Sequence, residues 1–172
     1  MGENMTFIPH LYGRFFQLGY VTRDLDTAIA AYRERFGATE FMINAPPPRA
    51  DGSLSATRRI GLAYIDDVMI ELIEPESSMA TIYDDAVPEA PGAIALHHLG
   101  FLVDDHQATV DRMAALGYAV PAAGSFGDVL DYSYADTRAD LGHYSEFIRL
   151  GEQGRQMFAA VPRNPSGLSA TL

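Results

Sequence analysis

The sequence predicts an α+β domain made of two copies of one unit, in which a strand and a helix are followed by three more strands. The phrases Gln17-Leu18-Gly19-Tyr20-Val21 and His98-Leu99-Gly100-Phe101-Leu102 share one pattern of polar, apolar and glycine residues. After each phrase the apolar residues recur first about every 3.6 residues, as in a helix, and then about every 2, as in strands. The chain has 172 residues, the length of about one domain.

The first unit continues from its opening strand into a helix. The stretch Asp24-Leu25-Asp26-Thr27 is expected to supply the N-cap, because a short side-chain oxygen accepts a hydrogen bond from a free amide of the first turn. Ile29 and Tyr32 lie on one apolar face of this helix, and Gly37 ends it. Three strands are expected downstream, over residues 39–44, 59–65 and 68–73.

The second unit repeats this order. Asp104 and Asp105 cap a helix whose apolar face includes Val110 and Met113, and Gly117 ends it. The periodicity then predicts strands over residues 118–122, 129–135 and 144–150.

The repeat also sets the expected domain limits. One domain covers residues 14–150 and consists of modules 14–75 and 96–150. Residues 76–95, with Pro88 and Pro91, form the linker between the modules. Residues 1–13 and 151–172 are terminal extensions, and the second is expected to add a short strand at residues 157–161.

Composition and charge exclude several classes of function. The formal net charge is −11, so the surface as a whole repels nucleic acid and anionic membranes. The absence of Cys excludes thiolate metal sites and Cys nucleophiles. No apolar run approaches the 18 or so residues of a membrane span, and the N-terminal residues lack the features of a secretory signal. A cytoplasmic location is therefore expected.

Four polar side chains occupy equivalent positions in the two units. Gln17 and His98 lie in the first strands, and Glu71 and Glu146 lie in the last strands. Each Glu has apolar neighbours, where an unpaired charge is costly, so a cation is expected to neutralise it. Four donors at symmetric positions therefore predict a metal site.

The chain resembles the vicinal oxygen chelate superfamily, which includes glyoxalases, bleomycin resistance proteins and ring-cleaving dioxygenases. The resemblance covers about residues 14–150. It lies in the repeated phrases, in Ile70-Glu71-Leu72-Ile73-Glu74-Pro75 and in the acidic turn after each first strand. It implies two βαβββ modules that form a curved mixed sheet around an open metal cavity. It also implies that Gln17, Glu71, His98 and Glu146 are the ligands, an order similar to that of glyoxalase I.

The resemblance further implies proton transfer next to a chelated carbonyl or enediolate. One imidazole and three side-chain oxygens suit one divalent ion such as Zn²⁺, Ni²⁺, Co²⁺, Mn²⁺ or Fe²⁺, with positions left for two adjacent substrate oxygens. Glu146 is the expected catalytic base, and Glu71 is the second candidate.

Three functions follow as alternatives. The first is a metal-dependent isomerase or lyase, glyoxalase-like or epimerase-like, that acts on a small molecule with vicinal oxygens. The second is a non-catalytic protein that binds a small molecule in the same cavity, and the third is a ring-cleaving dioxygenase. Two-module members of the family commonly pair, so a homodimer is expected.

Other side chains are candidates for substrate contacts. Tyr144 lies two residues before Glu146 and shares its strand face, so it is a candidate hydrogen-bond donor to the substrate. Arg49, Arg58 and Arg59 surround the proline-rich loop and are candidates for holding an anionic substrate arm. Strand alternation places His97 on the opposite face from His98, as a packing or hydrogen-bonding residue.

Overall fold

The structure, a computed structural model, describes residues 13–38, 40–46, 52 and 54–164. Nine strands lie in this part of the chain: β1 (Arg14–Thr22), β2 (Met42–Asn44), β3 (Thr57–Ile65), β4 (Val68–Pro75), β5 (Ile94–Leu102), β6 (Ala122–Ser125), β7 (Leu130–Ala135), β8 (Tyr144–Leu150) and β9 (Arg163–Asn164). Four helices accompany them: α1 (Leu25–Phe36), α2 (His106–Ala115), α3 (Arg138–Leu141) and α4 (Glu152–Ala159). Among the described helices, none has the length and apolar character needed to cross a membrane.

All nine strands belong to one curled mixed sheet, which confirms the predicted fold class. Its order is β2-β3-β4-β1-β5-β8-β7-β6, and β9 pairs with β3. The first strands of the two units, β1 and β5, pair antiparallel at the centre, and each also pairs parallel with the last strand of its own unit. The two halves therefore share a single sheet rather than forming one sheet each.

The helices α1 and α2 cover equivalent regions of the sheet. Asp24 accepts a hydrogen bond from the Thr27 amide at 3.0 Å, and Asp105 accepts one from the Ala108 amide at 3.0 Å, so both predicted N-caps are confirmed. The helix α1 packs against Ile70 and Leu72 of β4. The helix α2 contributes Met113 to a cluster with Phe101 and Phe147.

The end of the chain differs from the sequence prediction. Residues 157–161, expected to add a strand, instead contain the end of α4, and the added strand is β9. Phe158 of α4 packs against Phe16 with ring centroids 5.8 Å apart. The helix is favoured because its apolar residues Met157 and Phe158 contact the core, whereas the polar residues before them face solvent.

Candidate metal centre

Strand alternation directs Glu71 and Glu146 away from the helices. Ile70 and Leu72, on either side of Glu71, pack under α1, and Phe147, next to Glu146, packs under α2. Because successive strand residues point to opposite faces, both carboxylates point into the concave side of the sheet. They line one cavity there, and their exposed fractions are 9% and 5%.

The two glycines of the repeated phrase make room for the polar side chains of the opposite half. In the antiparallel pair of β1 and β5, His98 lies opposite Gly19 and Gln17 lies opposite Gly100. A Cβ atom at Gly19 would overlap the His98 ring, and one at Gly100 would overlap the Gln17 side chain. This close packing therefore requires the glycine at the end of each repeated phrase, Gln-Leu-Gly and His-Leu-Gly.

The structure brings the four predicted metal ligands together. The Nε2 atom of His98 lies 3.1 Å from Oε2 of Glu71 and 3.2 Å from Oε2 of Glu146. Adjacent ligands that bind one ion at about 2.1 Å are about 3.0 Å apart in octahedral geometry, so these separations suit a shared ion. Gln17 lines the same cavity, and its Nε2 atom donates to the Met69 sulfur at 3.5 Å.

Each of these four residues has one buried atom that makes no hydrogen bond, although the His98, Glu71 and Glu146 atoms lie within ion-pair distance of one another. Within the described part of the chain, the buried side-chain atoms in this condition are Gln17 Oε1, Glu71 Oε2, His98 Nε2 and Glu146 Oε2. His98 Nε2 pairs with the two carboxylate oxygens only when the imidazole carries a proton there, so with a neutral His98 all four atoms are suited to a ligand that they share. An imidazole nitrogen, an amide oxygen and two carboxylates fit a divalent cation, and the buried Glu-His-Glu group could hold one.

The charges of the group also favour a cation. Burial raises the pKa of Glu71, and the nearby carboxylate of Glu146 raises it further. Burial lowers the pKa of His98, but the carboxylates of Glu146 and Glu71 outweigh this effect and raise it to about 9. In the absence of metal, a proton on His98 therefore partly neutralises the two carboxylates.

A β-bulge changes the direction of His97. Gly19 pairs with His98 while Tyr20 pairs with Leu96, so His97 is skipped in the pairing of β1 with β5. The same irregularity occurs in the first half, where Phe16 is skipped. A bulge interrupts the alternation of side chains, and as a result the Nδ1 atoms of His97 and His98 lie 3.1 Å apart. The expectation that His97 lies on the opposite face from His98 is therefore wrong.

The hydrogen bonds of His97 determine which nitrogen of His98 is free. The Nε2 atom of His97 lies 3.1 Å from the Ile82 carbonyl oxygen, which can only accept, so this nitrogen carries a hydrogen. Burial lowers the pKa of His97 to about 4, and a neutral ring then has an Nδ1 lone pair. That lone pair accepts from His98 Nδ1–H, which leaves His98 Nε2 facing the two carboxylates.

Two buried tyrosines complete the polar part of the cavity. Tyr83 comes from the linker and Tyr134 from β7, and the Tyr83 hydroxyl donates to the Tyr134 hydroxyl at 3.4 Å. The Tyr134 ring contacts the His98 ring edge-to-face, with centroids 5.2 Å apart. Burial raises the pKa of both phenols, so both remain protonated and can donate hydrogen bonds. Apolar periodicity does not mark Tyr83 in the sequence, because this residue lies in an irregular segment.

The structure places Tyr144 outside the cavity lining. Its ring stacks on His97 with centroids 4.7 Å apart, and the Arg138 guanidinium lies 4.5 Å from its centroid. Tyr144 therefore supports the histidine pair rather than presenting its hydroxyl to a substrate.

The arginines near the proline-rich loop also have other partners. The Glu74 carboxylate accepts from Arg58 at 3.0 Å and from Arg59 at 2.7 Å. Glu74 also accepts from the Leu25 amide at 3.1 Å, so this group ties β3 and β4 to the start of α1. Neither Arg58 nor Arg59 lines the cavity, so the expected role in holding a substrate arm does not fit their positions. Arg49 lies outside the described residues.

Known proteins share this fold at low sequence identity. Methylmalonyl-CoA epimerase from Mycobacterium tuberculosis is 18% identical, with a TM-score of 0.57 over 87% of this chain and 94% of that chain. A methylmalonyl-CoA epimerase of Streptomyces coelicolor, in complex with 2-nitronate-propionyl-CoA, is 16% identical, with a TM-score of 0.57 over 82% and 96%. A hypothetical protein from Bacillus halodurans is 17% identical, with a TM-score of 0.60 over 81% and 96%. Comparison with curated protein sequences gives no significant match.

The family is shown by the sequence itself. A profile described as the Glyoxalase/Bleomycin resistance protein/Dioxygenase superfamily matches residues 16–134, which is more than half of the chain. The curled sheet agrees with this match, and the resemblance inferred from the repeated phrases is confirmed. The chain therefore belongs to the Glyoxalase/Bleomycin resistance protein/Dioxygenase superfamily, also known as the vicinal oxygen chelate superfamily.

Proposed function

We propose that this protein is a metal-dependent isomerase that moves a proton at the carbon next to a carbonyl of a small substrate with two adjacent oxygens. The observation that carries this proposal is the convergence of four buried polar atoms that make no hydrogen bond. Gln17, Glu71 and Glu146 line one cavity, and His98 Nε2 lies within 3.2 Å of both carboxylates. A site that only packs the core has no use for two buried carboxylates 3.1 Å and 3.2 Å from one histidine nitrogen.

In this proposal Gln17, Glu71, His98 and Glu146 hold one divalent ion. The ion, when bound, supplies positive charge that polarises the substrate oxygens and stabilises negative charge that develops on them. The donor set suits Zn²⁺, Ni²⁺, Co²⁺, Mn²⁺ or Fe²⁺, and it does not select among them.

The carboxylates have a second role as proton acceptors. Glu146 lines the cavity and is the proposed base, with Glu71 as the second candidate. A base has to lie within hydrogen-bond reach of the proton that it removes, and both carboxylates face the space where a substrate would sit. Tyr134 is proposed to donate a hydrogen bond to the substrate, because it is buried, protonated and part of the lining. Tyr83 donates its own hydroxyl hydrogen to Tyr134 and therefore orients that hydroxyl.

An isomerase is favoured over a lyase or an oxygenase. Two of the solved structures with this fold are methylmalonyl-CoA epimerases, and an epimerase removes and returns a proton on one carbon. At 16–19% identity this likeness concerns the fold, so the substrates of those enzymes are not transferred to this chain.

A binding protein without catalysis is the second candidate. The observation in its favour is the apolar and aromatic character of much of the cavity, which could retain a small molecule without any reaction. The four metal donors favour the enzyme, because simple retention of a small molecule does not require them.

Metal analysis followed by proton exchange in D₂O tests the proposal. The metal-loaded protein is incubated with 2-oxo compounds and acyl thioesters, and deuterium uptake at the carbon next to the carbonyl is measured by mass spectrometry. Catalysed uptake that disappears in the Glu71→Gln, Glu146→Gln double variant is expected. Metal binding without catalysed uptake on any compound of the panel would favour the binding protein.

The expected homodimer and cytoplasmic location remain predictions. Sedimentation at micromolar concentration tests the first of these, since a species of 18.8 kDa alone would contradict a dimer.

A further inference from the structure

The cavity above the metal donors has a lining with very few charges. Its volume is about 570 Å³, within the usual range for a small-molecule site. Glu71 and Glu146 are the charged side chains in the lining formed by the described residues, and no Arg or His belongs to that lining. The other polar groups are neutral, such as Thr57, Tyr83 and Tyr134.

The arginines that the structure describes all lie outside the cavity lining. The sequence contains no Lys, so all 12 basic residues counted as Lys or Arg are arginines. Arg58 and Arg59 are paired with Glu74, and Arg149 is paired with Asp131 at 2.6 Å. In the described structure none of these guanidinium groups reaches the cavity lining.

The charge balance of the site limits the charged groups that a substrate can bring into the cavity. Glu71 and Glu146 together neutralise one divalent ion, and Gln17 and a neutral His98 add no charge. A further carboxylate or phosphate on the substrate would find no counter-ion among the described lining residues, and burial of such a charge in this largely apolar space is strongly unfavourable.

The shape of the lining favours an aromatic or apolar body. Five of the described aromatic residues take part in it: Tyr83, Phe126, Tyr132, Tyr134 and Phe158. Phe126 and Tyr132 are stacked, with centroids 5.9 Å apart and planes at 15°. Phe126 is 46% exposed, so this pair lies where the cavity opens to solvent. Aromatic faces pack well against flat apolar molecules.

We propose that the substrate, beyond its two chelating oxygens, is an uncharged aromatic or apolar molecule. This inference rests on the proposed function, because it assumes that the four donors hold a metal. It separates this chain from enzymes whose substrates carry carboxylates or phosphates into the cavity.

A matched pair of catechols tests the inference by binding rather than by activity. 4-Methylcatechol and 3,4-dihydroxybenzoate have the same two oxygens and differ in a methyl or carboxylate group on the ring. Each is titrated by calorimetry into the Zn²⁺-loaded protein. We expect 4-methylcatechol to bind at least about tenfold more tightly, because its ring enters the cavity without a charge.

A variant with a new cation provides the control. Ala123 is an exposed residue of the edge strand β6 and lines the cavity, so a longer side chain there is compatible with the fold. Ala123→Arg is expected to strengthen binding of 3,4-dihydroxybenzoate by about fivefold or more relative to Ala123→Gln, which has a similar length and no charge. Circular dichroism verifies that both variants fold.

The outcomes separate this inference from the proposed function. Zn²⁺ uptake is measured first, and a protein that takes up no divalent ion contradicts both. Three results overturn this inference and leave the metal site intact. In each of them the protein takes up metal, but it binds the two catechols equally, binds 3,4-dihydroxybenzoate more tightly, or binds neither. Selective binding of 4-methylcatechol together with the expected Ala123→Arg effect supports it.

Discussion

The Nδ1 atoms of His97 and His98 lie 3.1 Å apart, although the two residues are neighbours in one strand. A β-bulge opposite Gly19 makes this contact possible, because it removes His97 from the pairing of β1 with β5. Hydrogen bonds therefore connect the Ile82 carbonyl to His97 and His97 to His98, which faces the proposed metal position. Partners of this kind orient a metal-binding histidine and select its tautomer.

Replacement of His97 by Phe is expected to weaken metal binding by about 10- to 100-fold. Phe keeps a ring between Tyr83 and Tyr144 but cannot accept the His98 Nδ1 hydrogen, and Phe16 occupies the equivalent bulge of the other half. His97→Asn is the matched control, because Asn Oδ1 has nearly the position of His Nδ1 and can accept, so it should restore part of the affinity. Calorimetric titration with Zn²⁺ measures both variants, and an unchanged affinity in His97→Phe would rule out the positioning role.

Alanine at Gly19 or Gly100 is expected to disrupt the metal centre. The new Cβ atom would overlap His98 in the first case and Gln17 in the second. The strand or the overlapped ligand side chain therefore has to move. Overpacking of this kind costs about 1–3 kcal/mol in the free energy of unfolding, and metal uptake should fall in parallel.

Gly61→Ala is the control for the glycine variants. A Cβ atom at Gly61 in β3 would meet the flexible ends of Ile29 and Leu25 at 3.3 Å, so it should retain metal. Thermal unfolding and metal content are measured on all three variants. Normal metal content in Gly19→Ala and Gly100→Ala would mean that the donors do not need the observed spacing.

Metal affinity is expected to rise with pH. The two carboxylates raise the pKa of His98 from 6.5 to about 9 despite its burial, so below that pH a metal has to displace a proton from His98. Displacement of one proton gives an increase in apparent affinity of about tenfold per pH unit, tested between about pH 6.5 and 8.5. The raised pKa of Glu71 acts in the same direction. A pH-independent affinity over this range would contradict the proposed ligand set.

The raised pKa of His98 makes the metal-free protein less stable as the pH rises, whereas it makes metal binding stronger. A folded-state pKa above the unfolded value means that protonated His98 stabilises the fold fully below about pH 6.5. This contribution should disappear as the pH rises through about 9. Urea denaturation of the metal-free protein at several pH values measures it.

Glu146→Gln distinguishes a base from a simple ligand. The amide keeps an oxygen donor at nearly the same volume but cannot accept the proton, so proton transfer should fall by about 10²–10⁴-fold while some metal binding remains. If Glu146 were only a ligand, activity would follow metal occupancy and would recover with excess metal. Glu71→Gln, compared under the same conditions, identifies which carboxylate dominates, and full exchange activity in both metal-replete variants would exclude carboxylate-mediated proton transfer.

The sequence is sufficient to predict the fold and to predict that the four donors lie together. Both rest on the tandem repeat: Gln17 and His98, like Glu71 and Glu146, were recognisable because each occurs at the same place in its unit. The repeat also supplied the two N-caps, because Asp24 and Asp105 each precede a helix with a clear apolar face.

Residues that break the periodicity could not be predicted. The position of His97 follows from a bulge, which changes the register locally and leaves no mark in the alternation of apolar residues. Tyr83 enters the cavity from an irregular segment between the two units. Arg58 and Arg59 are candidates for a substrate contact in the sequence, but their partner Glu74 becomes adjacent only when β3 and β4 pair.

The number of divalent ions bound per chain tests the central claim most directly. The purified protein is incubated separately with Zn²⁺, Ni²⁺, Co²⁺, Mn²⁺ and Fe²⁺, desalted and measured by inductively coupled plasma mass spectrometry beside a His98→Ala variant. We predict about one ion per wild-type chain for at least one metal, and much less than one for the variant. Wild-type protein that retains none of the five ions, or a variant that retains as much as wild type, would contradict the assignment of Gln17, Glu71, His98 and Glu146 as a metal centre.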